Sequence, residues 1–265
     1  MVIKDILVHL DGEQVDGNSA AVAVALAKRF SARLTGLFAR TETIPSALAA
    51  HRASDALLAV AERAKTTFEA AAAGVETRWW QVMHGNARDL VGEVTFCCHY
   101  ADLVVMGQPG SHGPDDLADR VILHSGRPVL VVPADGRFEA IGRRVMVGWR
   151  SGKEAARALH DALPLMQGAE TVILATVGKH GGISDSQPRV DVVDHLRAHG
   201  LPVTGERIQT EGLEVMDALL SSAYDMDADL LVMGAHTGSG LSHARSGAGT
   251  RHVLAHTRVP VLFSH

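Results

Sequence analysis

Apolar residues in this chain fall into short continuous runs separated by longer stretches in which they recur every three or four positions. The run from Ile3 to Leu10 is nearly unbroken and stops at Asp11-Gly12, as expected of a strand buried on both faces of a parallel sheet. Ala20, Val24, Ala27 and Phe30 then lie on one helical face, predicting a helix over 18–30, and a strand follows over 33–39. The same alternation predicts one or two helices within the Ala-rich 46–73, strand 77–83, helix 87–99, strand 103–107, helix 115–124 and strand 128–132. After a polar, glycine-bearing link over 134–142 the order restarts. Strand 144–149 leads into helix 153–163, which Pro164 is expected to end, and strand 171–177 comes next. Helix 189–199 with Gly200 as its cap, strand 203–208, helix 214–224, strand 230–234, helix 248–256 and strand 259–263 complete the pattern.

The restart is a repeat. Ala101-Asp-Leu-Val-Val-Met-Gly107 returns as Ala228-Asp-Leu-Leu-Val-Met-Gly234, and Pro128-Val-Leu returns as Pro260-Val-Leu. The offsets are 127 and 132 residues, so one module of half the chain occurs twice. Two domains are expected, 1–136 and 141–265, each long enough for its own core. Strands alternating with helices predict an α/β fold: two tandem doubly wound domains, each a parallel sheet with helices on both faces. Ligands of such sheets sit beyond the strand C-terminal ends, where strand order reverses. Asp11, Gly107, Arg150 and Gly234 all fall at such ends.

Composition narrows the partners. Hydrophobic residues are 46% and charged residues 21% of the 265, and the net charge is −5 with no Lys/Arg run, which argues against a nucleic-acid partner. No apolar run reaches secretory or membrane-spanning length, so a cytoplasmic protein without a membrane partner is expected. The only cysteines, Cys97 and Cys98, are adjacent on a predicted helix and read as small core residues, with a vicinal redox pair as the alternative. Of the neighbours Trp79 and Trp80, one is expected in the core and one on the surface.

The segment with most chemical promise runs from Met233 to Thr250, a glycine-rich loop that leaves one strand and enters a helix near Ala248. Glycines let backbone N–H groups approach phosphate oxygens and the helix start adds partial positive charge, although such loops also serve as plain turns. His252/His256 and His195/His199 are spaced four apart on predicted helices and could share a metal; exposed helix-end histidines are the simpler account, and no metal site is predicted. No Ser, Cys or Thr lies in a nucleophile-elbow sequence, so no catalytic residue is assigned.

These features together resemble the universal stress protein family, in its tandem two-domain form, over nearly the whole length. The resemblance implies a five-stranded sheet of order 3-2-1-4-5 in each half. Family domains that bind ATP carry Gly, two residues, Gly, nine residues, Gly and Ser/Thr after the fourth strand, and an Asp at the end of the first strand near the adenosine. In the second half this motif maps onto Gly234 and Gly247. Thr237 stands at the second glycine with Gly238 beside it, Ala248 stands at the hydroxyl position with Thr250 two residues on, and Arg150 occupies the place of the Asp. The first half keeps Asp11, Gly107 and Gly110, but Arg120 and Val121 replace the closing Gly and Ser/Thr, and Asp115 and Asp116 would repel a phosphate. No triphosphate is expected there, and Asp11 also reads as an ordinary turn residue.

The resemblance thus implies a non-catalytic stress-response protein that binds an adenine nucleotide (ATP or AMP) or another small anion through Gly234, Gly238, Gly247 and Thr250, with Asp11 as the adenosine-side candidate in the first half. Two alternatives remain open: a nucleotide-independent scaffold acting through an unknown protein partner, and a nucleotide hydrolase or synthetase, for which Ser151-Gly152-Lys153-Glu154 lacks the required loop. The final strands of the two halves could pair within one chain, giving a pseudo-dimeric monomer, or between chains, giving a homodimer.

Overall fold

A computed structural model describes residues 2–12, 17–42, 53–109, 116–177, 191–210, 212, 214–236 and 246–265. The chain divides into two compact units, Val2–Arg137 and Phe138–His265.

In the first unit, β1 (Asp5–Leu10), β2 (Arg33–Thr41), β3 (Thr77–His84), β4 (Leu103–Gly107) and β5 (Val129–Val132) are joined by α1 (Asn18–Phe30), α2 (Asp55–Ala71), α3 (Ala87–Cys98) and α4 (Leu117–His124). All strands are parallel and their order is β3-β2-β1-β4-β5. The second unit repeats the plan. Its strands are β6 (Arg144–Gly148), β7 (Thr171–Val177), β8 (Val203–Ile208), β9 (Leu230–Gly234) and β10 (Val261–Ser264), and its helices are α5 (Lys153–Met166), α6 (Val192–Ala198), α7 (Val215–Asp225) and α8 (Ala248–His256). Here too the strands are parallel, in the order β8-β7-β6-β9-β10.

Each core is aliphatic and centred on the inner strands. Leu103, Val104 and Val105 of β4 and Leu230, Leu231 and Val232 of β9 are fully buried, as parallel strands covered by helices on both faces must be. The outer strand β8 buries only Val203 and Ile208, and the four residues between them, Thr204 to Arg207, are exposed. Such a charged, polar edge discourages pairing with a foreign strand.

The repeated Ala-Asp dipeptide has a structural reason. Asp102 accepts the backbone N–H groups of Lys4 and Asp5 at 2.8 and 3.0 Å, and Asp229 accepts those of Gly142, Arg143 and Arg144 at 2.7 to 3.1 Å. In return the Asp102 and Asp229 N–H groups donate to the carbonyls of Asp5 and Arg144. Each carboxylate therefore ties the start of the first strand of its unit to the start of the fourth.

Two expectations need correction. Pro164 does not end α5, which continues to Met166: a proline this close to the C-terminus removes one backbone bond, and the extra turn buries Leu165 and Met166. Trp79 and Trp80 are both half-buried, because β3 lies at the sheet edge where neither face is fully covered. Trp79 packs against Phe38 and Phe68, with ring centroids 6.4 and 5.7 Å away. The part of the predicted 46–73 helical stretch up to residue 52 lies outside the described residues, and α2 accounts for most of the remainder.

His9 on β1 carries a pH dependence. Its Nε2 is closed off from solvent without a hydrogen-bond partner, and burial lowers its pKa from the ordinary 6.5, outweighing the opposing effects of Asp11 and the Ala39 backbone. A histidine depressed in the folded state holds fewer protons than in the unfolded chain, so stability is full above about pH 6.5 and declines as pH falls below it. Chemical denaturation between pH 8 and 5 should show that decline, and His9→Gln should flatten it.

Candidate functional site

Register fixes which strand ends correspond. In the first unit Ile6 pairs with Leu103, and in the second Val145 pairs with Leu230. Leu103 and Leu230 are the same position of the repeated heptapeptide, so Ile6 matches Val145 and, counting along the strands, Asp11 matches Arg150. The chain leaves β6 toward β7 and β8 and then returns to β9 on the other side of β6, placing the reversal of strand order between β6 and β9. The residues just past β6 and β9 therefore flank the crevice in which a ligand of such a sheet sits.

Beyond β9 stand Gly234, Ala235 and His236, and the chain re-enters the described residues at Ser246. Gly247 is the N-cap of α8 with ordinary extended backbone, and its N–H donates to the His236 carbonyl at 2.6 Å. Gly234 and Gly247 are thus drawn to the same end of the sheet. Thr250 lies buried in the first turn of α8. Among the described residues no side chain caps this helix, and no acid occupies its first turn. The N–H groups of Ala248, Gly249 and Thr250, which precede the first intrahelical donor, Arg251, point out of the helix end. Gly238 and Thr237 lie outside the described residues, as do Gly110 and Asp115 of the first unit.

Gly234 has a second role that its motif position conceals. A Cβ there would come within 2.5 Å of the Glu154 carbonyl carbon and 2.6 Å of the Ala155 nitrogen. The residue is glycine because β9 and the first turn of α5 touch backbone to backbone.

That contact brings α5 into the site. Glu154, with a side chain only 13% exposed, faces His236 Nδ1 at 3.4 Å and Lys153 Nζ at 3.7 Å. Burial works against its charge, but its own backbone N–H, His236, Lys153 and His265 together hold its pKa below the ordinary carboxylate value. His265 Nδ1 lies 2.9 Å from the Ala235 carbonyl, and since a carbonyl only accepts, that nitrogen carries the proton. Glu154, His236 and His265 carry no motif signature, because they meet only through the approach that Gly234 permits. Arg150 is exposed just past β6, and no described residue bonds to its guanidinium.

The first unit is electrostatically opposite. Asp11 stands just past β1, Asp116 is the N-cap residue of α4 and Asp119 lies in its first turn. Arg120, which replaces the expected glycine, pairs with Asp116 at 3.2 Å.

The remaining candidates resolve into structural roles. His252 is not merely an exposed helix-end residue: its Nε2 meets Asp217 Oδ1 of α7 at 2.7 Å, and its ring stacks on His256. His195 packs between His160 and His199, its pKa lowered by burial and by both neighbours. Among the described residues no group of three His, Cys, Asp or Glu side chains is arranged to hold a metal ion. Cys98 is buried and Cys97 half-buried, and burial raises both thiol pKa values, which disfavours the thiolates that redox chemistry needs. No described helix is long and apolar enough to cross a membrane. Two clefts lie elsewhere, one of about 590 Å³ between α3 and α4 and one of about 380 Å³ near Arg144 and Met226, and none of Gly234, Gly247 and Thr250 lines either.

Comparison with known proteins gives the family. Residues 3–133 and 143–265 each match the universal stress protein family. No curated protein matches the chain. Among solved structures, a universal stress protein from Archaeoglobus fulgidus DSM 4304 is similar over 98% of this chain and 96% of its own, with 16% identity and a TM-score of 0.71. A functionally unknown protein, PA1789 from Pseudomonas aeruginosa PAO1, is similar over 99% of this chain and 92% of its own, at 17% identity and a TM-score of 0.62. A putative universal stress protein from Pseudomonas aeruginosa UCBPP-PA14 is similar over 99% and 93%, at 17% identity and a TM-score of 0.63. At these identities the likeness is one of fold, and the family assignment rests on the two matches along the sequence: the chain belongs to the universal stress protein family, with two tandem copies of its domain.

Proposed function

We propose that this protein is a stress-response protein whose second unit binds an adenine nucleotide, ATP or AMP, or another small anion at the start of α8. The observation that carries this reading is the bare first turn of that helix. Ala248, Gly249 and Thr250 present backbone N–H groups with no capping side chain among the described residues and no acid in their turn, beside the reversal of strand order. A helix end of this kind favours a negative charge through its unpaired N–H groups and its dipole. The Gly247 N–H is not among these donors, since it is committed to the His236 carbonyl. Gly238 belongs to the proposed loop by its place in the sequence.

Asp11 in the first unit is proposed to face a hydroxyl-bearing ligand. The carboxylates of Asp11, Asp116 and Asp119 speak against a phosphate there. Among the described residues at the strand ends of the second unit no group of His, Cys, Asp and Glu is arranged to hold a metal, and the proposed activity is binding rather than turnover.

The test is a substitution that leaves the helix intact. Ala248 is exposed at the first position of α8, where an aspartate stabilises a helix by about 0.5 kcal/mol but places a negative charge in the proposed cradle. Ala248→Asp should keep or slightly raise the thermal midpoint while weakening ATP and AMP binding by about tenfold or more in calorimetric titration. Equal affinity in the two proteins would place the nucleotide elsewhere.

A further inference from the structure

Building on the proposed nucleotide site, we infer that Arg150 selects a ligand with a second anionic group, a nucleotide phosphorylated on its ribose as well as on the 5′ chain. The register matches Arg150 to Asp11, so the two copies place opposite charges at one position beside the reversal of strand order. A carboxylate there can only accept hydrogen bonds and suits ribose hydroxyls. A guanidinium can only donate, and its fork matches the oxygens of a phosphate. The same exchange of an acid for an arginine separates binders of a free ribose from binders of a ribose phosphate in other doubly wound folds.

The surroundings agree. No described residue bonds to the Arg150 guanidinium, which leaves its donors for a ligand. Lys153, three residues on, has a side chain that is 87% exposed and adds a second cation. Glu154, the acid next to Lys153 in the chain, is held by Lys153 and His236. The first unit has no such pair of cations at the described end of β1, where Asp11 is followed by Gly12.

Calorimetric titration with AMP, adenosine 2′,5′-bisphosphate and adenosine 3′,5′-bisphosphate tests the inference on the full chain. At least one bisphosphate should bind about tenfold or more tightly than AMP, the worth of one charge-assisted bond set. In Arg150→Gln that ratio should fall toward one, and in Arg150→Asp it should invert. Both variants should melt with the parent, because the replaced side chain is exposed. If AMP binds and neither bisphosphate binds better, Arg150 does not select a second phosphate and only this inference falls. If neither AMP nor a bisphosphate binds, the nucleotide site itself is absent and both readings fall.

Discussion

Gly234→Val should yield insoluble or unfolded protein, the most severe outcome expected of any single substitution in the motif. The added Cβ alone would lie 2.5 to 2.8 Å from backbone atoms of Glu154 and Ala155, and backbone cannot turn aside as a side chain can. Separating β9 from α5 would open the core around Leu231, Ala155 and Ala158, at a cost of at least about 3 kcal/mol. Gly92→Ala is the internal contrast. A Cβ at Gly92, inside α3, meets nothing within 4 Å, so alanine should stabilise the protein by about 0.5–1 kcal/mol. Denaturant titration of the two variants beside the parent checks both signs. A soluble Gly234→Val protein with parental stability would refute the close approach of strand and helix.

The second large effect is expected at Asp229. Its carboxylate accepts bonds from three successive backbone N–H groups, Gly142 to Arg144, and no other group is described as receiving them. Asp229→Ala leaves the donor of buried Gly142 without its partner and turns those of the exposed Arg143 and Arg144 to water, at about 2 kcal/mol. The replacement also loosens the start of β6, whose far end carries the proposed ligand residues. Asp102→Ala should act likewise on β1. Amide exchange should show early loss of protection at the first residues of β6 in one variant and of β1 in the other. Unchanged protection would mean that the carboxylates do not hold the strand starts.

The strands were the most legible part of the sequence. Apolar runs such as 103–107, 171–177 and 230–234 coincide with β4, β7 and β9, because a strand covered on both faces leaves few polar positions to blur its ends. Helix ends were less sharp. Pro164 stopped the expected helix early because proline is unfavourable inside a helix, whereas in the last turn the lost bond is outweighed by burying Leu165 and Met166. Trp79 and Trp80 misled because alternation says which faces two residues take, not whether either face is covered.

The site was legible only in outline. The resemblance to the family motif marked Gly234, Gly247 and Thr250, and the structure draws them to one end of the second sheet. It could not reveal that Gly234 is required by α5, or that Gly247 bonds back to His236, since both depend on residues distant in sequence or on backbone geometry. Glu154 and His265 carry no pattern at all. The match of Asp11 to Arg150 was visible from the motif, and the strand register places it on structural ground.

Asp102 and Asp229 hold their strands at the N-terminal rim, whereas Asp11 and Arg150 stand at the C-terminal rim of the same sheets. After a duplication, drift at one rim therefore carries little folding penalty so long as the aspartates at the other are kept. Two descendants of one ancestral module could diverge to opposite polarity without renegotiating strand order, which leaves the halves of this protein free to answer different chemical cues.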